Sequence, residues 1–214
     1  DKADVLNIGV AAMFHDIGKL FISRKILQKP GKLTDQEFGK VKSHTVLGAE
    51  IMLKYVDTLG ILPVVVSFEH HLKYDSSGYP RLPNLRKQHI ASAIVSICDV
   101  YDALSQRRSY KQDYSPDLVY NIMNMNERGA FDPALLDKFF KFIGLWPVGS
   151  IVALSDGSIA LVKDENESDI RRPKVEVVSP VEKKRMIDLV QDNSLSIERF
   201  LNPWKEGKEF LHLA

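Results

Sequence analysis

The sequence predicts a mainly α fold, in which a helical bundle of residues 1–145 is followed by a small β-rich extension of residues 146–214. Three observations lead to this prediction. Apolar residues recur at spacings of three and four through the first two thirds of the chain, as they do in amphipathic helices. Capping side chains and prolines divide these stretches into separate segments. After Pro147 the helical spacing gives way to short apolar runs on either side of the turn sequence Ser155-Asp156-Gly157.

Individual helices begin at recognisable signals. Thr34 and Glu37 form a capping-box pattern, which predicts that a helix starts at Asp35. Asp132 places a capping carboxylate before Pro133, and proline suits the first helical position. Together with the apolar spacing, such signals predict helices over residues 3–14, 35–55, 64–72, 89–105, 116–128 and 133–143. Strands are predicted over residues 150–154, 158–162, 175–178 and 186–190.

The composition is that of an ordinary globular protein. Of 214 residues, 44% are hydrophobic and 27% are charged, which excludes a wholly disordered chain. The 29 Lys and Arg residues against 28 Asp and Glu residues give a net charge of +1, so a nucleic-acid polymer is not expected as a partner. Cys98 is the single cysteine, which excludes a disulfide framework and favours a reducing compartment, the cytoplasm. Because Asp1 comes first and no signal peptide follows, we expect a piece of a longer cytoplasmic protein with an upstream sensory or regulatory domain.

Side chains with metal-ligand chemistry lie in the predicted apolar helices or at their ends. They are His15, Asp16, His44, His70, His71 and Asp99. Buried imidazoles and carboxylates need partners, and a shared divalent ion provides one. Four nitrogens and two carboxylates are too many for one tetrahedral zinc and suit two octahedral ions, with Asp16 as the bridging carboxylate. Taken singly, each residue is more often a satisfied core or surface residue, so the interpretation depends on the combination.

These residues also occur in the order of a known set of motifs. The sequence resembles the HD-GYP domain, a branch of the HD metal-dependent phosphohydrolases, over nearly its whole length. The intervals of 29 residues from His15 to His44, 26 from His44 to His70 and 28 from His71 to Asp99 suit that domain. The matching motifs are His15-Asp16-Ile17-Gly18-Lys19, His44, His70-His71, Gly78-Tyr79-Pro80 and Asp99. The resemblance implies an HD-domain helical bundle whose N-terminal helix is incomplete in this sequence.

The resemblance also implies an activity, the hydrolysis of cyclic di-GMP to the linear dinucleotide pGpG and often on to GMP. The implied cofactor is a pair of divalent ions, iron or manganese. A hydroxide held between two cations is a strong nucleophile at neutral pH, and the cations neutralise charge on the phosphoryl oxygens. Asp16 then takes part in catalysis as the bridging ligand. Lys19 lies one turn beyond His15, where its ammonium can meet a nonbridging or leaving oxygen of the phosphate.

Five further residues are implied in substrate binding, namely Arg108, Lys111, Asp75, Gly78 and Tyr79. Arg108 can fork onto a phosphate and Lys111 can add a point charge. Gly78 and Tyr79 can contact a guanine, or can simply shape the loop that begins at Asp75. In the family this loop is also linked to the docking of diguanylate cyclase domains. Without the resemblance, Arg108 and Lys111 would be interpreted as part of a basic surface cluster.

The sequence departs from the family pattern in three places. Family members usually carry Glu and His upstream of the His-Asp pair, but only fourteen residues precede His15. Leu72 follows the paired histidines where Glu is usual, and Ser76 follows Asp75 where glycine is usual, which restricts the loop if φ is positive there. These departures leave open a second function, a cyclic-dinucleotide receptor or cyclase-docking module without turnover. Two further alternatives are a preference for cyclic GMP-AMP and an HD phosphohydrolase of mononucleotides or other phosphoesters. A homodimer formed through the N-terminal helix is also left open.

Overall fold

The computed structural model describes residues 1–81, 87–105, 114–126 and 129–213. It is mainly helical and has a five-stranded antiparallel sheet near the C-terminus, so the predicted fold class is confirmed. The contacts of the chain divide it into two units. Unit 1 comprises Asp1–Val100 and Glu127–Leu135, and unit 2 comprises Tyr101–Asn126 and Leu136–Ala214.

Unit 1 is built from short helices around two apolar clusters. In chain order they are α1 (Lys2–Phe14), α2 (Arg24–Leu27), α3 (Asp35–Lys42), α4 (His44–Leu53), α5 (Val56–Leu59), α6 (Leu62–Glu69) and the first part of α7 (Ile90–Ser105). A 3-10 turn over Ile17–Phe21 follows α1. One cluster joins α1, α6 and α7 through Ala11, Val66 and Val95. The other joins α4 to α6 through Met52 and Val64, and together they hold α1, α4, α6 and α7 side by side.

The single helix predicted over residues 35–55 is wrong, because the chain breaks at Ser43. The Ser43 hydroxyl donates to the Lys40 carbonyl at 2.7 Å, and the Thr45 hydroxyl donates to the Lys42 carbonyl at 3.1 Å. Serine and threonine side chains compete in this way with the backbone ladder of a helix. The break makes His44 the first residue of α4, where its side chain is fully buried.

Unit 2 carries the sheet and has its own apolar core. Its strands are β1 (Ile151–Leu154), β2 (Ile159–Asp164), β3 (Lys174–Ser179), β4 (Met186–Asp188) and β5 (Ile197–Phe200), in the spatial order β4-β3-β2-β1-β5. Ile151 pairs with Leu161 across the β1–β2 hairpin. Val152, Leu154 and Val162 are fully buried and pack in one cluster with Trp146. The first four strands lie where the sequence predicts them, whereas β5 was not predicted.

Two further helices lie on the chain before the sheet. The first, α8 (Pro116–Asn121), is shorter than the predicted 116–128 and continues as a π-helical turn over Ile122–Asn126. Residues 127 and 128 lie outside the described residues. The second, α9 (Pro133–Ile143), has the predicted bounds. None of the helices within the described ranges combines the length and the hydropathy that crossing a membrane requires.

Candidate metal centre

The His15-Asp16 pair is held at the end of α1 by two close backbone approaches. A Cβ at Gly18 would lie 1.9 Å from the His44 carbonyl oxygen, so only glycine lets the 3-10 turn reach α4. A Cβ at Gly48 would lie 2.2 Å from the Ser67 hydroxyl, and that hydroxyl donates to the His15 carbonyl at 3.1 Å. The end of α1 is therefore fastened to both α4 and α6.

Around this junction, one ligand atom each of Asp16, His44, His70 and His71 lies within 4.8 Å of the others. Asp16 Oδ1 is 3.3 Å from His44 Nε2 and 3.8 Å from His70 Nε2. The other oxygen, Oδ2, is 3.3 Å from His15 Nε2. His15 Nε2 is in turn 3.7 Å from Asp99 Oδ1. The structure thus brings together all six predicted metal-binding side chains.

Backbone carbonyls fix which ring nitrogen of three imidazoles faces the cluster. The Nδ1 atoms lie at hydrogen-bond distance from the carbonyl oxygens one turn earlier: His15 to Ala12 at 2.6 Å, His44 to Val41 at 2.7 Å and His70 to Val66 at 3.0 Å. A carbonyl accepts only, so each Nδ1 carries a proton, and in the neutral imidazoles of His44 and His70 each Nε2 presents a lone pair. This arrangement of the distal nitrogen is typical of metal-ligating histidines.

The packing of these atoms fits a divalent metal ion. The Nε2 atoms of His44 and His70 are only 3.2 Å apart, and with both lone pairs facing each other neither can donate to the other. Among the described residues, the buried atoms His15 Nε2 and Asp16 Oδ1 have no hydrogen-bond partner. Buried polar atoms without partners are costly, and a cation would satisfy both nitrogen and carboxylate donors.

Burial keeps most of the imidazoles in the form that binds metals. It lowers the pKa of His70 to about 3 and that of His71 to about 4, and it also lowers the pKa of His44. Neutral imidazole is the form that coordinates a cation. For His15, burial alone would lower the pKa, but the carboxylates of Asp16 and Asp99 outweigh burial and raise it to about 10.

The two carboxylates are held in their ionised form. Burial would raise the pKa of Asp16, but His15 and Lys19 outweigh burial and bring it well below its usual range. Burial would also raise the pKa of Asp99, but the neighbouring His15 outweighs burial and lowers it. Lys19 Nζ donates to Asp16 Oδ2, so the predicted catalytic lysine lies directly at the centre.

The predicted substrate loop returns over His71. Gly78 has φ of +92°, and a Cβ there would lie 2.3 Å from the His71 carbonyl oxygen. The Tyr79 N–H donates to the same carbonyl at 3.1 Å, and the Tyr79 ring packs on the His71 ring with centroids 4.6 Å apart. Glycine at position 78 therefore lets Tyr79 cover the centre.

The first residues of this loop shape its backbone. Asp75 is exposed, its carboxylate accepts from the Ser77 N–H at 2.9 Å, and its own N–H donates to the Gly129 carbonyl at 3.0 Å. Ser76 has φ of +66°, in the left-handed region. Glycine, which is usual at this position in the family, adopts this region more readily than serine does. Leu72 is buried at the position where Glu is usual, and its backbone forms an isolated β-bridge with Gly78. Arg108 and Lys111 lie outside the described residues.

Sequence reasoning missed three residues near the centre, Phe38, Lys42 and Glu69. Glu69 is only 3% exposed, and its Oε2 accepts from the His89 N–H at 2.7 Å and from the Ser92 hydroxyl at 3.2 Å. It therefore ties the end of α6, which precedes the paired histidines, to the start of α7, which carries Asp99. Its position directly before His70 was the available signal.

Comparisons with known proteins agree with this geometry. The profile of the HD domain family matches residues 1–135. A cyclic di-GMP phosphodiesterase of Pseudomonas aeruginosa is 35% identical over 174 residues, which are 81% of this chain and 41% of the relative. A cyclic di-GMP phosphodiesterase of Thermotoga maritima is 34% identical over 64% of this chain and 37% of the relative. A 3′3′-cGAMP-specific phosphodiesterase of Vibrio cholerae is 34% identical over 68% of this chain and 31% of the relative.

The chain spans less than half the length of each of these relatives. The matched profile nevertheless covers more than half of the chain and includes every residue of the cluster. The predicted family is confirmed: the chain belongs to the HD domain family.

Proposed function

We propose that this protein is a metal-dependent phosphodiesterase that hydrolyses cyclic di-GMP to pGpG, with the further step to GMP left open. The observation that carries the proposal is the convergence of ligand atoms of Asp16, His44, His70 and His71 within 4.8 Å of one another. Within the described residues, the buried atoms Asp16 Oδ1 and His15 Nε2 at this cluster lack hydrogen-bond partners. The names of the relatives support a cyclic dinucleotide as the substrate class.

The proposed cofactor is a pair of iron or manganese ions. Their protein ligands would be His15, Asp16, His44, His70, His71 and Asp99. Asp16 directs Oδ1 toward His44 and His70 and Oδ2 toward His15, which supports a bridging role for its carboxylate. Divalent ions at such a site would supply an activated water nucleophile and would neutralise charge on the phosphoryl oxygens.

The remaining roles belong to the protein's own side chains. Lys19, hydrogen-bonded to Asp16, would place its ammonium against a phosphate oxygen or the leaving oxygen. Tyr79 would form a wall against a base or ribose, held there by its own N–H, which donates to the His71 carbonyl, and by the packing of its ring on His71. For Arg108 and Lys111 we propose phosphate contacts, and for Asp75 the shaping of the loop around the substrate.

We further propose that residues 1–145 are the catalytic domain and residues 146–214 an extension, because every cluster residue precedes Val100. Location in the cytoplasm, docking of diguanylate cyclase domains on the loop from Asp75 to Pro80, and a homodimer stay predictions. A receptor without turnover is the second candidate, favoured by Leu72, which buries an apolar side chain where an acidic partner for an imidazole was expected.

Metal analysis tests the ligand assignment. We expect up to two iron or manganese ions per chain in the purified protein and a sharp reduction in His70→Ala, since His70 Nε2 faces both Asp16 and His44. The matched control is His212→Ala, which removes an exposed imidazole of unit 2. Equal metal content in the two variants would contradict the assignment.

Turnover tests the choice between enzyme and receptor. Metal-loaded protein is incubated with cyclic di-GMP and with 3′3′-cGAMP, and products are separated by chromatography. Linear pGpG is the expected product, and the appearance of GMP after it would reveal a second hydrolytic step. Tight binding of cyclic di-GMP without formation of product over hours would contradict the enzymatic function and favour the receptor function.

A further inference from the structure

A lysine and two aromatic rings form a group beside the candidate metal ligands. Lys42 Nζ lies 4.5 Å from the centroid of the Phe38 ring and 5.7 Å from that of Tyr79. The two rings meet edge to face with centroids 6.4 Å apart. We call Phe38, Lys42 and Tyr79 the cation-aromatic group. Phe38 and Lys42 lie one turn apart on α3.

This group adjoins the candidate ligands directly. The Tyr79 ring packs on His71 at 4.6 Å and lies edge-on to His44 at 6.3 Å. Lys42 is also separated from His44 by Ser43 alone. A phosphodiester held at the imidazoles would therefore have its nucleoside within reach of the Lys42 ammonium.

Two features of the group suit a planar ligand with acceptor atoms. The Phe38 side chain leaves 42% of its surface exposed, so a flat ring can stack on it. The Lys42 ammonium is half-buried over the rings, and in the described ranges no carboxylate lies within ion-pair distance of it. Its donors are therefore available for a ligand.

We propose that Lys42 and Phe38 form a base subsite that selects guanine over adenine, an inference that rests on the proposed cyclic-dinucleotide function. Guanine presents two neighbouring acceptors, O6 and N7, to a lysine ammonium. Adenine presents one acceptor, N7, beside the N6 amino donor, which the ammonium repels. Lys42 donates to the guanine edge while Phe38 stacks on the base, and the metal centre holds the adjacent phosphate.

Exchange of the lysine tests the subsite. We compare cyclic di-GMP, 3′3′-cGAMP and cyclic di-AMP with Lys42→Met, and record both kinetic constants and dissociation constants. The expected result is a KM for cyclic di-GMP raised about tenfold, a smaller change in kcat, and a guanine preference reduced by a similar factor.

Lys42→Gln sharpens the test, because a glutamine amide matches the N6 and N7 edge of adenine. Its preference is expected to shift toward the adenine-containing ligands. The matched control is Lys40→Met, which removes an exposed charge from the same last turn of α3 and should leave the preference unchanged. A lysine with only a structural role would change folding or metal content but not the ratio between bases.

The outcomes separate this inference from the proposed function. If the wild type binds cyclic di-GMP without turnover, the proposed function fails and the dissociation constants still test the subsite. If Lys42→Met and Lys42→Gln both keep the wild-type ratio of guanine to adenine ligands, the subsite is overturned while the phosphodiesterase stands. A wild type that does not discriminate between the bases overturns the subsite as well.

Discussion

At the scale of single residues, the site depends on side chains that the sequence identifies by chemical type and on others that it does not. His15, Asp16 and the paired histidines could be predicted because imidazoles and acids in apolar helices need a partner. Lys42 could not, because nothing in a local pattern says which charged side chain of a helix turns toward a centre, and Glu69 was marked only by its position directly before His70. Their roles depend on contacts that exist only in the folded chain: Lys42 lies over the Tyr79 ring, and Glu69 accepts from His89 and Ser92.

The buried carboxylate of Glu69 provides a residue-scale prediction. Glu69→Ala leaves the His89 N–H and the Ser92 hydroxyl without their acceptor, so we expect the free energy of unfolding to fall by about 1–3 kcal/mol. Metal content should fall too, because α7 carries Asp99. Urea denaturation and metal analysis measure the two effects. Glu50→Ala, at an exposed position of α4, is the control, and equal results for the two variants would argue against an anchoring role.

At the scale of elements, the bounds of a helix were predicted best where a single capping or turn signal marks its end. The Asp132-Pro133 pair marks the start of α9, and its predicted range is correct. The prediction of one helix over residues 35–55 was wrong, because the apolar spacing continues through Ser43. The serine and threonine hydroxyls there donate hydrogen bonds to backbone carbonyls of the preceding helix. The strand β5 was missed because its residues Ile197–Phe200 are nowhere fully buried and lack an apolar run.

The contact between the 3-10 turn and α4 gives the element-scale prediction. Gly18→Ala would place a methyl group 1.9 Å from the His44 carbonyl oxygen, so backbone must move and we expect a loss of about 3 kcal/mol in unfolding free energy. Bound metal should decrease, since the displaced turn carries Asp16. In Gly39→Ala, the added Cβ meets no atom within 4 Å, and a gain of up to about 1 kcal/mol is expected from helix propensity. Denaturation curves in which both variants match the wild type would refute the close approach.

At the scale of the whole molecule, the two units each have an apolar core, and the candidate centre lies within unit 1. The sequence predicted a helical part and a β-rich part from the change of hydrophobic period near Pro147. The spacing of apolar residues alone could not predict which helices belong to which unit. The helix α8 has the same apolar spacing as the helices of unit 1 but belongs to unit 2.

The location of the centre predicts where a metal stabilises the molecule. Manganese added to metal-free protein at about 100 times its dissociation constant should stabilise the folded centre by about 2.7 kcal/mol. Backbone amides of α4 and α6 should then exchange hydrogen more slowly, while exposed amides of the sheet serve as the internal reference. Hydrogen exchange with mass spectrometry reads out both. Unchanged exchange in α4 and α6 would mean that the cluster does not bind the ion.

The break at Ser43 has a consequence for retargeting this protein to other nucleotides. Only Ser43 separates the lysine at position 42 from the histidine at position 44, so a backbone shift that moves one of these residues also moves the other. On the proposed base subsite, a change of base preference therefore requires a different side chain at position 42 with the path of the backbone unchanged. An insertion at this junction would separate position 42 from the histidine at position 44 and would disturb the candidate metal centre as well.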